Sequence, residues 1–109
     1  MRIKVAVLCI CVLASSTPAL GVSSQDVDRI TTYAVILGRA VACGADISDA
    51  SRRVGQWMDV KFPPGSQDQQ AYLPIFVNGV GYHAQQQKEG KSPDSCAAVL
   101  RNFKAFPWP

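Results

Sequence analysis

After residue 21, the thiol and imidazole side chains of this chain are three: Cys43, Cys96 and His83. A thiolate needs a nearby base, and His83 is the single histidine. Cys96 at a helix N-terminus would have a lowered thiol pKa if it were free, so a Cys96–His83 dyad is one chemical option. A zinc site needs about four ligands at suitable spacing, which one histidine and two distant cysteines do not supply. The chain holds no CxxC redox motif and no CxxCH haem motif. Its serines lack a GxSxG context. "GVG" (79–81) lacks the strand-to-helix setting of a phosphate-binding loop. Paired carboxylates are absent as well: Asp46, Asp49, Asp59, Asp68, Glu89 and Asp94 fall mostly at caps and on polar faces. The sequence therefore points to no catalytic residue, no metal and no cofactor.

The compartment favours another use for the cysteines. "MRIK" is basic, "VAVLCICVLA" (5–14) is an unbroken apolar run, and "SSTPALG" (15–21) is small and neutral. That order describes a cleaved secretory signal over residues 1–21. Ten apolar residues span about 15 Å as a helix, too short for a stable membrane anchor. Cys9 and Cys11 lie inside the apolar run behind Leu8 and Ile10, which are too large for a lipid-attachment site. An exported chain of 22–109 reaches an oxidising compartment, where paired thiols become disulfides.

Without Arg2 and Lys4, the 11 basic residues fall to 9 against 8 acidic ones. No basic stripe remains for nucleic acid. A single domain of about 88 residues is small for a self-sufficient core, and a covalent staple would help.

The elements around the cysteines read as helices. Residues 23–44 have a serine cap at Ser23 or Ser24, then acidic residues Asp26 and Asp28. Val27, Ile30, Ala34, Leu37 and Val41 supply a face, and Gly44 a stop. Residues 46–62 start at Asp46 or Ser48, bury Ile47, Ala50, Val54, Trp57 and Met58, and end at "PPG" (63–65). Residues 66–90 are ambiguous. Ser66 and Gln69 fit a capping box, and Tyr72, Phe76, Val80 and His83 keep helical spacing. Asn78-Gly79 between apolar runs is a hairpin signal, and Pro74 opposes a helix. We read a helix kinked or interrupted near Pro74, with a hairpin at 75–83 as the alternative. Residues 91–106 read as a helix capped by Ser92 with Pro93 at its first position and Cys96, Val99, Leu100 and Phe103 inward. "FPWP" (106–109) then leads Trp108 back onto the core.

The expected fold is all-α: a small antiparallel bundle of about four helices with one disulfide. An up-down-up-down path brings the end of the first helix and the start of the fourth to the same end, which pairs Cys43 with Cys96. Candidate binding or pH-sensing residues are His83, Tyr72, Tyr82 and Trp108. The aromatic content and the polar connection at 63–72 favour a protein-binding surface. In plan the chain resembles small periplasmic stress chaperones and secreted accessory or inhibitor proteins. The functional expectation is an exported, non-catalytic protein that contacts another exported or envelope protein. The alternatives are an acid-responsive periplasmic chaperone and a small hydrolase using a thiol or His83.

Overall fold

A computed structural model describes residues 23–109. The signal expected at 1–21 lies outside the described residues. Four helices follow one another: α1 (Ser24–Ala42), α2 (Ser48–Lys61), α3 (Gln67–Lys88) and α4 (Cys96–Ala105), with no strand among the described residues. The all-α bundle with one disulfide is the observed fold.

Local chemistry sets most boundaries. Serine hydroxyls at three helix starts accept a backbone N–H two or three residues into the helix: Ser23 from Asp26 at 3.1 Å, Ser66 from Gln69 at 3.1 Å and Ser95 from Ala98 at 3.2 Å. The start of α2 is held differently. Asp46 accepts from the Ser48 backbone N–H at 2.9 Å and from its hydroxyl at 2.6 Å. Two helix ends share one device. At the end of α1, Gly44 takes φ +90° while Ala45 N–H reaches the Ala40 carbonyl at 3.0 Å. At the end of α3, Gly90 takes φ +73° while Lys91 N–H reaches the Gln86 carbonyl at 2.9 Å. Both are Schellman closures, which need the left-handed residue that glycine supplies. Between α2 and α3, Pro64 and Gly65 (φ +83°) form a type II turn closed by Ser66 N–H on the Pro63 carbonyl at 2.9 Å.

The central helix is α1. It packs closely along α3, and also against α4 and α2. Ile30, Tyr33 and Leu37 of α1 meet Ala50, Val54 and Met58 of α2 in the core, with Phe62 just beyond α2 fully buried. Burying each large apolar side chain contributes about 1.5–3 kcal/mol. Phe62 stacks on Tyr72 with ring centroids 5.7 Å apart, which ties the α2 end to the start of α3. Trp108 returns to the body as expected: its indole N–H donates to the Phe103 carbonyl at 3.2 Å, and its ring lies 5.8 Å from Tyr33.

The contact between α1 and α3 is close enough to exclude side chains. A Cβ added to Gly38 would fall on the Val80 carbonyl oxygen, 2.9 Å from His83 Cβ and 3.0 Å from Ala84 N. One turn earlier, a Cβ on Gly79 would lie 3.1 Å from Ala34 Cβ. Small residues on both helices let the backbones approach. This packing explains why 75–83 is helix and not hairpin. The Asn78-Gly79 turn signal is local, whereas Tyr72, Phe76 and Val80 all pack toward the core from one continuous helix. Pro74 is accommodated inside that helix although it has no N–H for the Gln70 carbonyl.

Four expectations need correction. Cys96, read as inward on the fourth helix, is exposed where it meets Cys43. The fourth helix begins at Cys96, not near Ser92. Asp94 is drawn aside by Arg39 at 3.1 Å, and its carbonyl accepts from Gln87 Nε2 at 3.1 Å, so 92–94 forms a strap. Val41 is 41% exposed, and Gly38 takes part in the buried face of α1 instead. The Ser66–Gln69 capping box is half made: the Gln69 side chain turns away to Asp59 at 2.8 Å and the Phe62 carbonyl at 3.1 Å.

Candidate functional site

The helix order brings Cys43 and Cys96 together. They form a disulfide with Cα atoms 5.4 Å apart and a sequence separation of 53. The sulfur of Cys96 is therefore engaged, and the thiolate of a Cys96–His83 dyad is not present in this structure. Among the described residues, no group of three or more His, Cys, Asp and Glu side chains converges to hold a metal.

His83 sits on the inward side of α3 where that helix meets α1 at Gly38. Its ring is edge-on to Tyr82 at 5.0 Å. Burial, and then the positive charge of Arg39, push its pKa below the usual 6.5. The sign of the resulting pH effect follows. The folded state holds His83 neutral more strongly than the unfolded chain does. This contribution is complete above the unfolded pKa of 6.5 and is lost as pH falls through the folded value. We expect stability to decline below about pH 6.5, with His83→Gln flattening that part of the curve; urea titrations at pH 7.5, 6 and 5 measure it. Parallel curves for the two proteins would remove His83 as the cause.

The other candidates separate. Tyr72 is half-buried against Phe62, and Trp108 is packed on Tyr33, Phe103 and Phe106. Tyr82 is 58% exposed on the outer side of α3. The stretch 63–72, expected as a polar connection, is a tight turn followed by the first turns of α3. The four residues do not form one site.

Tyr82 belongs instead to a surface that the reading of the sequence did not isolate. Leu73, Ile75 and Val77 are also exposed on α3, Ile75 on the same flank as Tyr82 and Leu73 and Val77 on the opposite flank. The same helix has no buried residue at all, although its inward positions touch the core. Between Asp68 and Lys88 there is no Asp, Glu, Lys or Arg. The outer side of α3 thus combines apolar groups with glutamine, asparagine, proline and glycine. The signal was visible in the sequence as an uncharged run flanked by single opposite charges.

A shallow cleft of about 550 Å³ opens at the disulfide end, between Cys43–Asp46 and the Ala97, Leu100 and Lys104 side of α4. Its lining also includes Arg101 and Phe103. No described helix is long and apolar enough to cross a membrane. A disulfide is compatible with an oxidising, exported compartment. The class defined by these features is a small four-helix protein closed by one disulfide, with exposed apolar residues on a largely uncharged helix. The chain matches no protein-family model, no curated protein and no solved structure.

Proposed function

We propose that this is an exported, non-catalytic protein that acts by protein–protein contact, with the outer face of α3 as the contact surface. The observation that carries this reading is the uncharged run between Asp68 and Lys88, together with the outward placement of Leu73, Ile75, Val77 and Tyr82. Exposed apolar groups on a helix without charge suit the centres of interfaces, where charges would have to be desolvated. An exposed tyrosine offers large area at low entropy cost and is frequent among residues dominating binding. The disulfide supports an exported setting, so the partner is another exported or envelope protein.

A photo-crosslinking residue placed at Val77 or Tyr82 tests this in the producing cell. Adducts should form from both positions and be absent from Val60, the 80% exposed valine on α2. Equal yields from all three positions, or none from α3, would overturn the assignment.

A further inference from the structure

We infer that the partner on the outer face of α3 is a second copy of this chain, paired antiparallel about a two-fold axis at Asn78; this rests on the reading of α3 as the contact surface. The argument is one of self-complementarity. An isologous interface must match its own surface after a two-fold rotation, so residues equidistant from the axis meet one another. With Asn78 on the axis, Ile75 faces Gly81 of the second copy. Gly81 has open space around it, so a side chain can enter there. Pro74 faces Tyr82 of the second copy, an aliphatic ring against an aromatic one. Pro74, Ile75, Asn78, Gly81 and Tyr82 are all exposed. Asn78 meets its own equivalent, and its amide carries both a donor and an acceptor for that purpose.

Charge selects the orientation. Asp68 lies in the first turn of α3 and Lys88 in the last, ten positions either side of Asn78. Neither has an ion-pair partner within 4.0 Å among the described residues. The antiparallel arrangement brings each Asp68 level with Lys88 of the other copy along the helix pair, twice. A parallel arrangement would oppose like charges at both ends. The helix dipoles also favour the antiparallel choice. From Asp68 to Lys88 the pairing extends about 30 Å. One helix pair of that length is near the lower limit for a specific interface, so the dimer is expected to be reversible.

Purified protein with its disulfide intact supplies the test. By sedimentation equilibrium, the mass should rise from one copy toward two between about 1 and 500 µM, the range in which a reversible dimer of this size associates. Asn78→Cys should cross-link on mild oxidation at least tenfold faster than Val60→Cys, an exposed position off the axis. Gly81→Leu fills the groove that Ile75 of the second copy would enter. It should weaken association at least tenfold while leaving the thermal melt of the monomer unchanged or raised. A mass of one copy throughout, equal cross-linking at 60 and 78, or wild-type association by Gly81→Leu would each overturn the dimer. Photo-adducts at Val77 and Tyr82 to a different protein, with a monomeric purified chain, would sink the second copy as occupant and leave α3 as the contact surface. No α3 adducts of any kind and a monomeric chain would sink both.

Discussion

Gly38→Ala is expected to lower the melting temperature by about 10 °C or more. Two effects compete. Alanine in a helix interior is favoured over glycine by about 1 kcal/mol. Against this, the new methyl group would collide with the Val80 carbonyl oxygen and press on His83 Cβ and Ala84 N. Those neighbours are backbone and Cβ atoms of a packed helix, so no rotamer change can relieve them. Overpacking costs about 1–3 kcal/mol when side chains can adjust, and this site lies at the upper end or beyond. The clash therefore wins by about 2 kcal/mol, with each kcal/mol worth about 4–8 °C in a domain of this size. Gly55→Ala is the matched comparison, because its added Cβ meets nothing within 4 Å. That variant should melt at the wild-type temperature or slightly above. Circular dichroism melts of the two proteins settle the point: shifts of the same sign would show that α1 and α3 are not in contact as described.

The second large effect is expected from replacing both cysteines with alanine. Closing 53 residues into a loop stabilises a folded chain by about 4 kcal/mol in the chain-entropy account. That is a large share of the stability typical of a domain this small, about 5–10 kcal/mol. The double variant should melt at least about 15 °C below the wild type, and reductant should shift only the wild type. The loss should also be uneven. Among the helices, α4 packs chiefly on α1, and the disulfide joins its first residue to the end of that helix. Without the bond, α4 keeps Val99 and the Trp108 cluster but loses its anchor, with the Arg39–Asp94 ion pair and the Gln87–Asp94 hydrogen bond nearby. Amide exchange should accelerate more in α4 than in α1 or α3. Uniform acceleration across all four helices would contradict this order.

Much of the architecture was legible because it follows from local chemistry. The positions of Ser23, Ser66, Gly44 and the Pro63–Gly65 turn mark boundaries by orphan hydrogen bonds and permitted φ values, and these depend on few neighbours. The disulfide followed from helix order. The features that escaped notice are set by distant partners. Gly38 reads as an indifferent helix residue until α3 arrives against it. Ser92-Pro93-Asp94 has the pattern of a helix start, yet Arg39, 55 positions earlier, takes the aspartate. On the functional side, Tyr82 was identified without its setting. A helix with one side on the core and an uncharged opposite side has weak amphipathicity, so periodicity alone gives no direction to its apolar residues.

The disulfide also determines how the molecule would carry tension. A force applied to the chain on either side of the closed loop travels along α1, crosses the sulfur–sulfur bond and leaves through α4. Everything from Gly44 to Ser95 lies off that path. Pulling can peel α4 from α1, but it cannot draw out α2 or α3 while the covalent link is intact. The proposed contact helix is thus mechanically shielded: a tug on the chain ends, as during transit or tethering, leaves its covalent loop closed.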